Sequence, residues 1–360
     1  MSMKKILLID YYGMCDEKGR AVGHSPKVLE EYGNLLKGRY KVDAAVSPCL
    51  REGGSNIFGE VYKLEYDIYV EDSMSIRKRI LDKCKIFANL VSVLKIDGYD
   101  VYWFYKTDFF LFFFFCFLYF RRMKKKDNKK FIALIYQGSF GGQKGQKLLN
   151  WFYKKGMSRF DGIMYSQRQE GQLHSNMLYF PDYQYDDGKY AEYRSIKKAD
   201  KVVCLGTMSP YKKLDVLTDV FNRNGYPLEI KGYFFDKDFY RNLCVRAKQN
   251  IVIENRVLSE QEYYETLAGA KYTVLPYDMN QYQCRTSGIL VESMFLDTTA
   301  IAPHQLLREN QVEGIGYERI EQLSDVSFFE ERPRPDNSAG KKEFDRDAIG
   351  ERLSNFIDAL

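Results

Sequence analysis

The chain has 360 residues, which is too long for one ordinary hydrophobic core and fits two domains. Hydrophobic residues make up 45% of it and charged residues 29%, as in soluble globular proteins, and the net charge of +5 is too small to indicate nucleic-acid binding. Seven widely spaced cysteines and three histidines argue against a zinc site or a disulfide framework, and they predict a reducing, cytoplasmic location.

The first elements alternate between strand and helix. Residues 6–9 are an apolar run too short for a signal peptide, and they predict the first strand. Ser25-Pro26 then predicts a helix start, and residues 42–46 predict the next strand, so the chain opens βαβ. Gly23, in the intervening loop, is a candidate donor-binding residue because such loops often border a nucleotide phosphate. Lone glycines also occur in ordinary turns.

The most unusual segment is residues 109–120, FFLFFFFCFLYF, which are followed at once by a strongly basic run, RRMKKKDNKK. A buried core helix is one interpretation, but a core helix does not need the basic run beside it. Apolar residues next to polybasic residues are typical of a surface anchor on anionic lipid. We therefore predict a peripheral protein on the inner face of the cell membrane. The predicted membrane residues are Phe112, Phe113, Phe114, Arg121, Arg122, Lys124 and Lys125. No segment approaches the roughly 20 apolar residues of a transmembrane helix.

The remaining first half continues the α/β pattern. Residues 131–136 predict a strand, and a glycine-rich loop that begins with Gln137 follows at its carboxyl end, where ligands bind in α/β sheets. Two short strands come next, and the polar residues 182–198 predict a linker. The amino-terminal domain is therefore predicted to span residues 1–190.

The second half restarts the alternation. A strand at residues 202–205 ends at Gly206, and Ser209-Pro210 predicts a helix with Lys212 in its first turn. Ser259 and Glu262 form a predicted capping box for a later helix. This spacing predicts a second doubly wound parallel sheet over residues 201–340. An amphipathic helix at residues 345–360 closes the chain and is expected to pack back on the amino-terminal domain.

Residues 271–303 carry the most functional information. A short strand is followed by a polar loop, a helix start with Thr286 or Ser287 as the N-cap and Gly288 close by, and a second strand. The free N–H groups and the dipole of a helix start attract phosphate, and Gly288 allows close approach to the backbone. Glu292 lies one turn further on, where a carboxylate can accept both hydroxyls of a ribose. The alternative is a plain capped βαβ unit with a surface glutamate.

Gly206, Lys212, Gly232 and the segments PY, TSGILVES and IAP occur in this order on successive predicted strands. Over roughly residues 200–303 the series resembles the carboxyl-terminal domain of GT-B glycosyltransferases, closest to the retaining family 4 type. The resemblance implies an α/β chain of GT-B architecture, with two Rossmann-like doubly wound domains and a cleft between them. It also implies that Lys212 holds the donor diphosphate and that Glu292 grips the ribose. The other implied donor-binding residues are Gly206, Thr207, Ser287, Gly288 and Ile289.

Three positions depart from the family pattern. Cys284 stands where the family has its first glutamate, which contacts the donor sugar. Thr207 replaces an arginine, and Gln137 is the nearest substitute for a histidine, so we take Gln137 as a candidate catalytic residue. Arg285 is conjectured to supply the missing positive charge.

The resemblance implies transfer of a sugar from a nucleotide diphosphate, UDP, with retention. The acceptor would be a lipid-linked or polysaccharide molecule in cell-envelope glycan synthesis: O-antigen, capsule or exopolysaccharide. Cations and helix amides can stabilise the leaving diphosphate, so neither a metal nor another cofactor is expected. One alternative is a catalytically silent GT-B module that binds nucleotide sugar or a partner glycosyltransferase. Another is a soluble enzyme of the same fold in which the phenylalanine run is buried.

Overall fold

The computed structural model divides the chain into two compact units. Unit 1 comprises Met1–Phe180 with Gly350–Leu360, and unit 2 comprises Pro181–Ile349. The structure describes residues 3–15, 18–19, 21, 25–50, 57–69, 75–116, 129–136, 147–166, 176–209, 212–282, 286–329 and 335–360.

Unit 1 is built on a seven-stranded parallel sheet. Its strands are β1 (Lys5–Asp10), β3 (Lys41–Val46), β4 (Val61–Lys63), β6 (Val101–Phe104), β7 (Lys130–Ile135), β8 (Gly162–Tyr165) and β9 (Met177–Tyr179), and two short strands, β2 (Met14–Cys15) and β5 (Ile68–Tyr69), pair separately. The spatial order β4-β3-β1-β6-β7-β8-β9 runs outward from β1 in both directions, as in doubly wound folds. The central strands are buried on both faces, which explains their unbroken apolar sequences.

The helices of unit 1 are α1 (Ser25–Leu36), α2 (Ile76–Leu94), α3 (Phe109–Phe114) and α4 (Lys147–Met157). Ser75 caps α2 by accepting from the Lys78 amide, and Asp108 caps α3 by accepting from the Leu111 amide. Residues of α2 and α3 share one apolar cluster with the sheet, and Tyr153 and Met157 of α4 pack against it.

The phenylalanine run forms part of this core. Phe112 and Phe114 are 1% and 2% exposed, because α3 lies between α2, α4 and the sheet. The prediction that these two side chains insert into a membrane is therefore wrong. Phe113 is 37% exposed and remains available for such a role. The four predicted basic anchors lie outside the described residues, and among the helices that the structure describes none is long and apolar enough to cross a membrane.

The last helix, α12 (Arg346–Asp358), contributes its later turns to unit 1. The ring of Phe356 packs so closely on Gly162 that a Cβ atom there would lie 2.6 Å from it. Arg39 donates to the Ser354 hydroxyl at 3.0 Å, and Lys4 donates to the carbonyl of Ile357 at 3.1 Å.

Unit 2 contains a six-stranded parallel sheet in the order β12-β11-β10-β13-β14-β15. Its strands are β10 (Ala199–Leu205), β11 (Leu228–Gly232), β12 (Ile251–Asn255), β13 (Ala270–Val274), β14 (Thr299–Pro303) and β15 (Ile315–Tyr317). Its helices are α5 (Asp187–Tyr190), α6 (Leu214–Asn224), α7 (Lys237–Arg246), α8 (Glu260–Ala268), α9 (Gly288–Phe295), α10 (His304–Asn310) and α11 (Ser338–Phe344). The predicted second parallel sheet is thus confirmed.

Two local predictions in unit 2 fail and one is confirmed. The predicted linker, residues 182–198, contains α5 and a 3₁₀ turn, and Tyr185 bridges to Asp345 within the unit. The helix predicted to begin at Ser209-Pro210 begins at Leu214, because Lys212 instead pairs with Tyr277 in a short bridge. The capping box at the start of α8 is present as predicted.

Candidate functional site

Two glycine turns meet at the carboxyl edge of the unit 2 sheet. Gly206 follows β10 with a φ of 91°, a conformation that favours glycine. Gly232 ends the neighbouring strand β11, and a Cβ atom on it would lie 1.7 Å from the Gly206 carbonyl oxygen. The pair lies at the edge where ligands bind in parallel sheets, with Gly206 half-buried and Gly232 buried.

Lys212 is buried beside the Gly206 turn. Its side chain is 4% exposed, and its Nζ donates to the carbonyl of Leu205 at 2.8 Å and lies 5.6 Å from the ring centroid of Tyr277. Burial lowers the pKa of Lys212. The same Nζ lies 3.8 Å from the position that a Cβ atom on Gly206 would take. The predicted diphosphate cation is therefore next to the predicted glycine turn.

The start of α9 reaches the same place. A Cβ atom on Gly206 would lie 3.3 Å from Cδ1 of Ile289. Ser287 occupies the N-cap position, but its side chain makes no cap hydrogen bond and its Oγ lies 3.4 Å from the Tyr277 hydroxyl. The first amides of a helix have no intrahelical acceptor, so the Lys212 ammonium and the positive end of α9 both adjoin the Gly206 turn.

Gly288 was predicted to allow a ligand to approach the backbone, but its close neighbour in the structure is a side chain of the protein itself. A Cβ atom there would lie 3.0 Å from the ring of Tyr183. In this structure, therefore, the close approach that the glycine permits is made by a tyrosine of the same unit.

Glu292 is held by three tyrosine hydroxyls. Tyr183 and Tyr263 donate to its two carboxylate oxygens, and the hydroxyl of Tyr264 lies 3.4 Å from Oε1. Burial and the neighbouring carboxylate raise the pKa of Tyr183 and Tyr263 well above the ordinary value, so both hydroxyls stay protonated and donate. Glu292 is only 8% exposed. The prediction of a ribose-binding glutamate did not include these three tyrosines.

A pocket with a cavity volume of about 390 Å³ opens beside this arrangement. Its lining consists of Gly206, Thr207, Gly232, Tyr233, residues 256–260 and Tyr263. Tyr263 therefore links the pocket to Glu292, since it lines the pocket and its hydroxyl donates to the carboxylate. A volume of several hundred Å³ is in the range of small-molecule sites.

Arg256 is a charged lining residue that the sequence did not single out. Its guanidinium lies 2.9 Å from carboxylate oxygens of Glu254 and Glu262. These contacts hold the guanidinium at the wall of the pocket, with its positive charge balanced by the two carboxylates.

Of the remaining predicted site residues, the structure describes Thr207, and three others lie outside the described residues. Gly23, Gln137 and Arg285, together with Cys284, lie outside the described residues. Thr207, by contrast, is exposed at the pocket wall.

Within the described residues, one group of side chains has metal-ligand chemistry. Cys15, Cys49 and Asp67 of unit 1 bring two sulfurs and a carboxylate oxygen within 4.8 Å of one another. Burial and Asp67 raise the pKa of Cys49, which favours its protonated thiol. Three donors are one fewer than a structural zinc site has.

The fold has been seen before in proteins that handle nucleotide sugars. Anabaena HepE, solved in complex with UDP and glucose, is 11% identical, with a TM-score of 0.60 and coverage of 100% of both chains. The UDP-forming trehalose-phosphate synthase of Burkholderia vietnamiensis is 10% identical, with a TM-score of 0.59 and coverage of 99% of this chain and 100% of that one. UDP-GlcNAc 2-epimerase of Neisseria meningitidis, bound to UDP-GlcNAc, is 9% identical, with a TM-score of 0.55 and the same coverage.

These likenesses show the fold: the chain is an α/β protein of GT-B architecture, as predicted. No family model matches the chain, and the search of curated proteins found no match in sequence. The closer likeness to the family 4 type remains a prediction from the motifs.

Proposed function

We propose that this chain is a glycosyltransferase that moves a sugar from a nucleoside diphosphate, UDP, to an acceptor. The observation that carries the proposal is the convergence of three features at one strand edge: the Gly206 turn, the Lys212 ammonium and the start of α9. All three stabilise negative charge, which develops on the diphosphate as it leaves the sugar. The structures of similar fold that hold UDP or a UDP-sugar support the same substrate class.

We propose one orientation for the donor in this pocket. The diphosphate would lie on the Gly206 turn with Lys212 and the amides at residues 288–289, and the base would extend toward residues 256–260. The ribose would then lie near Tyr263, whose hydroxyl can accept from a ribose hydroxyl while it donates to Glu292. A ribose hydroxyl can also replace that tyrosine on the carboxylate.

Because of the motif resemblance, we also propose that the reaction retains the anomeric configuration of the sugar and needs no metal. A same-face reaction needs no dedicated general base, and the leaving diphosphate has a buried cation and helix amides available to it. Gln137 and Arg285 are proposed to complete the sugar end of the site.

The decisive experiment has two parts. Calorimetric titration with UDP, with ADP and GDP for comparison, tests the donor site. Release of UDP from UDP-sugars in the presence of membranes then tests transfer. Binding without turnover would favour the silent module, and absence of any nucleotide binding would contradict both.

We propose a lipid-linked or polysaccharide acceptor of cell-envelope glycan synthesis and a peripheral position on the cytoplasmic face of the membrane. Each cation near an anionic surface contributes about 1 kcal/mol of attraction. Changing Arg121, Arg122, Lys124 and Lys125 to Glu should therefore release the protein from anionic vesicles while leaving its melting temperature almost unchanged. Retained binding in this variant would remove the basic run from the proposal.

The silent module remains a second candidate because of one observation. Both predicted donor residues already have partners within unit 2, Lys212 on the Leu205 carbonyl and Glu292 on the tyrosine hydroxyls. An active enzyme would have to exchange at least some of these contacts for contacts to the donor.

A further inference from the structure

Unit 1 exposes a group of large apolar side chains on three neighbouring helices, α2, α3 and α4. Five of them are more than half exposed: Ile76, Ile80, Leu81, Leu148 and Trp151. Phe87 and Phe113 are each 37% exposed. We name these seven side chains the α2–α4 surface. Exposed apolar groups that cluster in this way mark interaction sites more often than scattered ones do.

Ring contacts join the three helices into one surface. Phe87 of α2 packs on Phe114 of α3 with ring centroids 5.4 Å apart, and Phe113 of α3 packs on Phe152 of α4 at 5.7 Å. Between α2 and α3 lies an open apolar groove with a cavity volume of about 490 Å³. Its lining includes Ile76, Ile80, Phe87 and Phe110, with Arg79 and Lys83.

The helices that carry this surface are strongly cationic. Helix α2 has five basic residues and one acidic residue, Asp82, which is only 6% exposed. Helix α4 has three lysines and no acidic residue. The basic run at residues 121–130 follows α3 in the sequence. Since the whole chain carries a net charge of only +5, its positive charge is concentrated on these elements.

We infer that the α2–α4 surface docks on an anionic lipid bilayer. At a membrane interface, exposed apolar side chains can enter the region where the acyl chains begin, while neighbouring cations stay among the anionic headgroups. A surface that combines exposed apolar side chains with cations is suited to both regions. The charge complementarity selects a bilayer over a second copy of this chain, since two copies of a cationic surface repel each other. The inference rests on the proposed membrane location and is independent of sugar transfer.

On this inference, the element that inserts into the membrane is the α2–α4 surface and not the phenylalanine run. Phe112 and Phe114 are buried, so insertion falls to Phe113 and to the exposed side chains of α2 and α4. Lys83, whose Nζ lies 5.1 Å from the Phe110 ring centroid and 3.1 Å from Asp108, borders the groove and is left unchanged in the tests below.

The test is flotation of the full chain with vesicles of phosphatidylglycerol and phosphatidylethanolamine, and with vesicles of phosphatidylcholine alone. We expect binding to the anionic vesicles at low salt, weakening as salt rises, and little binding to phosphatidylcholine. The paired change Ile76→Ser with Ile80→Ser should lower partitioning by about tenfold or more, since each inserted side chain contributes substantially. Arg77→Glu with Arg79→Glu should lower it by about tenfold or more as well.

Matched controls use exposed positions elsewhere. Val245→Ser with Val326→Ser removes exposed apolar groups from unit 2, and Lys41→Glu with Lys63→Glu reverses exposed cations on β3 and β4 of unit 1. Neither control should change partitioning beyond about twofold, because neither pair lies on the proposed surface. Melting temperature and UDP affinity are measured for every variant, so failure of the membrane inference is distinguishable from failure of the donor site.

Three results would overturn the inference. The first is a wild-type protein that does not float with anionic vesicles at low salt. The second is flotation that both test variants retain in full, which would place attachment elsewhere. The third is a wild-type dimer in light scattering that the isoleucine variant converts to a monomer while vesicle binding is absent, which would make a second copy the occupant.

Discussion

Replacing Lys212 with methionine should separate fold stability from donor binding. The ammonium is buried, with one hydrogen bond to the Leu205 carbonyl at 2.8 Å and a position 5.6 Å from the Tyr277 ring centroid. Methionine has similar length and an apolar, adaptable side chain, so it can fill the space without the charge. The substitution therefore tests what the charge itself does.

The expected stability change follows from the direction of the pKa shift. Because burial lowers the pKa of Lys212 below its unfolded value, the unfolded chain binds more protons between the two values. Wild-type stability should rise with pH through that window, and below it the charge destabilises the fold. Methionine removes this penalty, but the lost hydrogen bond costs about 1 kcal/mol. Apolar replacement of buried charged groups ranges from neutral to roughly 4 kcal/mol stabilising, so the melting temperature at neutral pH should be unchanged or higher.

Donor binding should respond in the opposite direction. A cation on a diphosphate is worth about 1.5–3 kcal/mol, so Lys212→Met should weaken UDP binding by roughly tenfold to a hundredfold. Calorimetry with UDP and thermal melts across alkaline pH measure the two effects. Lys213→Met is the matched control, since that side chain is exposed and lies 3.8 Å from Asp278. UDP affinity equal to that of the wild type, or a melting temperature far below it, would refute the reasoning.

Three further outcomes are expected. Glu292→Gln should weaken UDP binding about tenfold through the lost charge-assisted contact to the ribose, and unchanged affinity in calorimetry would contradict the ribose assignment. Gly232→Ala should destabilise unit 2 by about 1–3 kcal/mol in urea unfolding, because the added Cβ would lie 1.7 Å from the Gly206 carbonyl oxygen. A variant as stable as the wild type would show that the backbone at this contact can move to make room for the Cβ. The sugar product, analysed by NMR with EDTA present, should keep the anomeric configuration of the donor, and inversion or a requirement for manganese would argue against the mechanism.

The alternation of strands and helices could be predicted from sequence because each element carries its own pattern. Buried parallel strands are short β-branched apolar runs, and the helices between them show apolar spacing and caps such as Ser259 with Glu262. The glycine turns also have local signatures, since Gly206 directly follows the apolar strand β10. Such signals suffice for the fold and for the edge of the sheet at which the donor would bind.

The contacts of the site could not be predicted because they join distant residues. Glu292 meets Tyr183, which is 109 positions away, and no local pattern predicts that pairing. Lys212 lies before its helix because of a bridge to Tyr277. The burial of Phe112 likewise depends on Tyr153 and Phe160, since a helix that is apolar on every face does not reveal which faces its neighbours cover.

The division of unit 1 between the two ends of the sequence has a consequence for the order in which the protein folds during synthesis. Residues 350–360 supply Phe356 against Gly162 of β8, and this contact cannot form until the whole of unit 2 has been translated. Domains generally fold as units as they leave the ribosome, so unit 2 can complete its fold while unit 1 still exposes an apolar strip. A released chain that ends at Ile349 should therefore have a second half that resists protease and a first half that is still cleaved.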